Sequence, residues 1–154
     1  MADLSRSKGI MGEVRSLFSD LFGGGKLTPT QELTIEVLFG LLGYLAGADS
    51  IVTSHEAEFT NQMMDELDLT ARARDVAHDA FTRGRKRQID IDTEVQRFLT
   101  VHPKGSPEVG RLYDALLRLA VADGRVRPAE RIFLEKVTLS LGYTRDALTA
   151  RLGV

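Results

Sequence analysis

The clearest signal in the chain is the spacing of its apolar residues. Between Lys8 and Phe22 they stand at Ile10, Met11, Val14, Leu17, Phe18, Leu21 and Phe22, the three-and-four repeat that lines up one face of an α-helix. Gly23, Gly24 and Gly25 then end the pattern, because residues without a Cβ lose the most entropy when held helical. Pro29 suits a first helical position, Thr28 precedes it, and Gln31 stands three residues beyond that threonine. This capping box predicts a helix running to about Gly47. Leu33, Ile35, Val37, Leu38, Phe39, Leu41, Leu42 and Leu45 leave it apolar on nearly every side, the character of a helix at the centre of a bundle. Thr53 and Glu56 repeat the capping pair, ahead of a helix that turns Phe59, Met63 and Leu67 inward and ends near Asp68.

Thr70 caps a further helix with Ala73, Val76, Ala77, Ala80 and Phe81 on its inner face. Gly84 is expected to stop it, leaving Arg85, Lys86 and Arg87 just beyond. A shorter helix over Asp92 to Thr100 carries Val95, Phe98 and Leu99, and His102-Pro103-Lys104-Gly105 breaks the chain. Ser106-Pro107-Glu108 opens the next helix, with Leu112, Leu116, Leu117 and Leu119 on its apolar side. A loop around Gly124 leads to a helix from Pro128 to Leu141, closed by Gly142, and Thr144 caps a last one to Leu152. No β-branched run alternates with period two between turn residues. The expected fold is therefore all-α: a bundle of about seven helices over residues 27–154, preceded by an amphipathic helix and glycine linker over residues 1–26.

An internal repeat organises the bundle. At an offset of 74 residues, Leu42 matches Leu116, Leu45 matches Leu119, Ala48-Asp49 matches Ala122-Asp123 and Val52 matches Val126. Glu56 then falls on Glu130, Phe59 on Phe133 and Leu67 on Leu141. Each half reads as an apolar helix, a turn of the form A-D-x-x-V-x-x-x-E and a second helix, which predicts two equivalent hairpins about a pseudo-twofold axis.

The turns ADSIVTSHE (Ala48 to Glu56) and ADGRVRPAE (Ala122 to Glu130), with the linking segment AFTRGRKRQIDI, resemble the TerB-like (tellurite-resistance) family over about residues 30 to 152. The similarity is greatest to the version carried by the membrane-anchored DnaJ-type co-chaperone DjlA. The resemblance implies a TerB-like helical fold and a non-catalytic interaction or sensing role of stress-response or co-chaperone-associated type. That co-chaperone also has a transmembrane segment and a J domain with a His-Pro-Asp motif. Neither is expected in this chain, whose His102-Pro103 is followed by Lys104.

Composition narrows the function classes. A net charge of −2 and a pI near 5.9 supply no global attraction for nucleic acid or an anionic membrane. The absence of cysteine removes disulfides, thiolate metal sites and thiol nucleophiles. The apolar run Val37 to Ala48 is 12 residues long, against roughly 20 for a membrane span. The N-terminus lacks the apolar core of a secretory signal, so a cytoplasmic location is expected.

Four candidate chemistries remain. Asp49 with Glu56, and Asp123 with Glu130, pair two carboxylates across a short turn, an all-oxygen set suited to Ca2+ or Mg2+. The competing reading is that Glu56 and Glu130 reach back to cap their helices. From Gln31 to Thr70 there are eight acids and no lysine or arginine, whereas Arg125 and Arg127 flank Asp123, so the first turn is the more cation-attracting. Second, Arg83, Arg85, Lys86 and Arg87, with Arg72 and Arg74 behind them, form a basic patch that suits phosphate. It has no interleaved aromatic to stack a base, and nucleic acid is not the expected partner. Third, His55, His78 and His102 stand in no metal or nucleophile motif, and no enzyme activity is expected. Fourth, the stripe from Ile10 to Phe22 must be covered by its own domain, a second copy, a partner groove or a membrane periphery. Its polar side, with Lys8, Glu13, Arg15 and Asp20, nearly cancels in charge, which favours a protein partner or self-association over lipid.

Overall fold

A computed structural model describes residues 28–47, 70–121 and 126–152. The N-terminal helix expected over residues 8–22 and the helix expected over residues 53–68 lie outside them. The described residues form six α-helices and no strand: α1 (Pro29–Ala46), α2 (Ala71–Arg85), α3 (Ile91–Val101), α4 (Pro107–Val121), α5 (Pro128–Ser140) and α6 (Arg145–Leu152). The protein is an all-helical bundle.

Local chemistry sets most helix ends. At α1, Thr28 Oγ1 accepts from the Gln31 N–H at 3.1 Å and Gln31 Oε1 accepts from the Thr28 N–H at 2.9 Å, the reciprocal pair that satisfies two otherwise orphaned donors. Thr70, Asp90 and Thr144 cap α2, α3 and α6 in the same way, each side chain accepting an N–H three residues ahead. At the end of α5, Gly142 adopts φ 95° while the Tyr143 and Gly142 N–H groups donate to Thr138 O and Leu139 O, a glycine-terminated Schellman closure.

The end of α2 departs from the sequence expectation. Gly84 lies inside the helix, and the left-handed position is taken by Arg87 at φ 58°. The Arg87 and Gln88 N–H groups donate to Gly84 O and Arg83 O at 2.9 and 2.8 Å, so the closure is again of Schellman type, with arginine where glycine usually stands.

What Gly84 does instead is tertiary. Helices α1 and α2 run parallel, with Arg72 bonded to Glu32 near their starts and Arg85 beside Gly47 at their ends. A Cβ on Gly84 would fall 1.9 Å from Gly40 O, and one on Gly43 would fall 2.1 Å from Phe81 O. The two backbones approach so closely that neither position admits a side chain.

Helix α1 is central, as its all-round apolar character predicts. Ile35, Leu38, Phe39, Leu41, Leu42 and Leu45 are buried with Phe98 of α3 and Leu112 of α4. Helix α3 crosses α1 in the opposite sense, with Ile89 against Gly40, Arg97 on Glu36 and His102 on Thr34. Tyr44 of α1 stacks on Phe133 of α5 at 5.5 Å. Where the internal repeat can be followed, Leu42 and Leu116 are both buried, as are Phe133 and Leu141, while Leu119 is half-buried. Their counterparts Val52, Glu56, Phe59 and Leu67 lie outside the described residues.

Candidate functional site

Of the acids paired across the two turns, Asp49, Glu56 and Asp123 lie outside the described residues; Glu130 and the helix ends that flank the turns are inside. Glu130 sits in the first turn of α5, where its Oε1 accepts from the Arg127 N–H at 2.9 Å. It thus engages the helix start in the way the capping reading requires, and a negative charge is favoured there by the helix dipole.

The first turn begins where α1 ends, and a fixed cation is already seated there. Arg87 Nη2 donates to Gly47 O at 3.0 Å and Nη1 reaches Tyr44 O at 3.4 Å. The guanidinium lies over the Tyr44 ring, 4.4 Å from its centroid. Arginine there satisfies carbonyls left over at the helix C-terminus, complements the negative end of the dipole and gains from the ring's quadrupole. Its backbone φ follows from the same demand: the chain turns left-handed so that the side chain reaches back to α1.

This placement divides the basic patch. Arg87 is exposed but bonded back to the end of α1, Arg83 Nε is bonded to Asp79 at 2.9 Å, and Arg85 and Lys86 are exposed at the end of α2. Arg72, one helix length back, is paired with Glu32 at 2.6 Å. Two of the four side chains, Arg83 and Arg87, are therefore already engaged within the protein.

One cluster has no counterpart in the sequence reading. Arg97 of α3 donates through Nη1 to both carboxylate oxygens of Glu94 at 3.0 and 3.1 Å, and through Nη2 to Glu36 of α1 at 2.6 Å. Glu94 is buried, and the bond to Glu36, opposed by desolvation and reinforced by Glu94, raises the arginine further above its ordinary value. The three-residue spacing of Glu94 and Arg97 is visible in sequence; Glu36, the acid in the middle of the most apolar helix, was the available signal for the third member.

Of the histidines, His78 is exposed on α2 and His55 lies outside the described residues. His102 joins α3 to α1. The Thr34 hydroxyl donates to Thr30 O at 2.9 Å, so its oxygen accepts from His102 Nε2 at 3.0 Å, while the ring packs on Phe98 at 4.6 Å. Burial lowers the His102 pKa below its ordinary value, against a smaller opposing pull from Glu108. Partial burial favours the neutral ring, and the contacts with Thr34 and Phe98 give it a structural role in tying α3 to α1. The partner-binding candidates Ile10, Met11, Val14, Leu17, Phe18, Leu21 and Phe22 lie outside the described residues. Among the described residues, no helix is long and apolar enough to cross a membrane.

Comparison with known proteins matches residues 36–152 to the tellurite resistance protein TerB. Among curated relatives, the chain is 31% identical over 123 residues to the co-chaperone protein DjlA of Vibrio vulnificus, covering 79% of this chain and 42% of that one. It is 30% identical over 132 residues to co-chaperone protein DjlA of Shewanella oneidensis, covering 85% and 49%. For co-chaperone protein DjlA of Vibrio cholerae it is 29% identical over 136 residues, covering 87% and 48%. The chain thus spans less than half the length of these relatives. No solved structure matches it.

Proposed function

The chain belongs to the TerB family of tellurite resistance proteins, and from that premise we propose that it acts as a non-catalytic interaction domain of the co-chaperone-associated type, with a divalent cation bound at its acid-bearing turns. The observation that carries the first part is the extent of the match. The TerB match runs over residues 36–152, from inside α1 to the end of α6, and 79% of the chain aligns with the DjlA co-chaperone of Vibrio vulnificus, so most of the chain is common to these relatives. A partner is engaged by the apolar stripe from Ile10 to Phe22, whose near-neutral flanks suit protein.

Support for the cation is chemical. The paired carboxylates make an all-oxygen donor set of the kind hard cations prefer, and the first turn sits in a stretch with eight acids and no lysine or arginine. Arg87 refines the picture. Because Tyr44 O and Gly47 O accept from its guanidinium, a cation at the first turn draws on Asp49, Glu56 and the turn's own carbonyls rather than on the end of α1.

The test is a Ca2+ and Mg2+ titration of the full chain followed by amide NMR, with Asp49→Asn/Glu56→Gln and Asp123→Asn/Glu130→Gln as the paired variants. Saturable shifts over residues 48–56, weaker shifts over residues 122–130 and loss of the former in the first variant are expected. Unmoved amides in both turns at millimolar cation reject the cation. Affinity capture comparing wild type with Leu17→Ser/Leu21→Ser tests the partner-binding stripe: equal recovery of the same proteins rejects it. Phosphate contact through Arg83, Arg85, Lys86 and Arg87 is the weaker reading, because Arg87 is already engaged with α1.

A further inference from the structure

Helix α5 leaves two large aliphatic side chains in solvent. Ile132 is 68% exposed and Leu139 47%. Seven residues apart, they lie on one face of the helix, about 10 Å from one another along its axis, with Lys136 between them reaching Asp92 at 3.9 Å. Isolated exposed leucines are ordinary; two on one stripe, in a chain whose sequence carries a second apolar stripe from Ile10 to Phe22, suit a contact between the two.

The position of α5 answers where its C-terminus lies. His102, at the end of α3, is bonded to Thr34 in the second turn of α1. Lys104, two residues on, lies against Gly142 just after α5, where an added Cβ would meet its side chain at 3.2 Å. The start of α1 and the end of α5 are therefore at the same end of the bundle. Residues 1–27 enter the fold at that end, through Thr28. Five residues, Gly23 to Leu27, separate the apolar stripe from Thr28, a reach of at most roughly 17 Å. A helix over residues 8–22 would be about 22 Å long, enough to span both Ile132 and Leu139. The Gly23-Gly24-Gly25 joint permits the reversal into α1 that would lay the segment antiparallel to α1 and so parallel to α5.

We propose that the apolar face of residues 8–22 docks on the Ile132–Leu139 stripe of α5 in the same molecule. The tether supplies a high effective concentration without further contacts. The inference rests on the reading of residues 8–22 as the interaction element and adds its resting place: a partner that takes this stripe must first displace it from α5.

The chain has no cysteine, so Ser16→Cys, on the polar side of the segment, gives a single nitroxide position in the full-length protein. Paramagnetic broadening of α5 amides, at least about twofold stronger than over α2, is expected. It should vanish in Ile132→Glu/Leu139→Glu at unchanged helicity, and equally in Leu17→Ser/Leu21→Ser at unchanged helicity, which alters the other side of the contact. Equal signal loss across all helices overturns the proposal. So does broadening of an unlabelled, isotope-enriched chain mixed with a labelled one, which would place the segment on a second copy. Partner capture that depends on the Leu17 face, with no broadening over α5, would sink this docking and leave the interaction role standing.

Discussion

Arg87 carries an energetic cost in its backbone and a gain in its side chain, and the two are separable. A non-glycine residue in the left-handed region costs about 1 kcal/mol or more, while the contacts with Gly47 O, Tyr44 O and the Tyr44 ring are worth about 1–2 kcal/mol together. Arg87→Ala keeps the strain and loses the contacts, so urea denaturation should show a loss of about 1–2 kcal/mol. Arg87→Gly relieves the strain and should recover about 1 kcal/mol of that; equal stabilities of the two variants would deny that strain. His102 gives a pH dependence of fixed sign. Its folded pKa lies below the ordinary value of 6.5, so its stabilisation is complete above that value and declines as pH falls through it towards the folded value. Between pH 7.5 and 5.5 wild type should lose more stability than His102→Gln, and parallel curves would contradict a half-buried ring that favours its neutral form. The sequence showed the histidine and the arginine run; it did not show that one would bond Thr34, 68 residues away, and the other cap a helix 40 residues upstream.

Two glycines that look alike in a helical pattern behave oppositely once the helices are placed. Gly84 is pressed against the Gly40 carbonyl, whereas a Cβ on Gly110, inside α4, meets nothing within 4 Å. Gly110→Ala should stabilise the protein by about 0.5–1 kcal/mol through helix propensity and reduced unfolded-state freedom. Gly84→Ala must force α1 and α2 apart and should cost about 3 kcal/mol or more, in the range of severe overpacking. Thermal unfolding of the two variants checks both, and a tolerated Gly84→Ala would mean that the parallel pair is not packed backbone to backbone. Among the described elements, starts were more legible than ends. Thr28, Thr70, Asp90 and Thr144 cap locally, within three residues, while the end of α2 is decided by what α1 presents to it.

Across the whole molecule, the buried apolar residues among those described run from Ile35 to Leu148, and the boundary expected at residue 26 puts the core in the segment that follows it. A chain beginning at Leu27 should unfold in one cooperative transition with a midpoint within about 4 °C of the full chain, on the order of 1 kcal/mol of stability. Loss of cooperativity in calorimetry would place the N-terminal helix inside the core and remove the boundary at residue 26. The amino-acid pattern by itself determined the helical class, the central place of α1 and most helix starts, because each depends on periodicity or on a hydrogen bond spanning three residues. It also displayed the acids of the two turns, whose chemistry resides in residue type. Tertiary structure alone decided that α1 and α2 run parallel with their backbones in contact, that Arg97 joins Glu36 to Glu94, and that Arg87 bonds back to the end of α1. Those outcomes depend on distances between residues 38 or more positions apart, which periodicity does not encode.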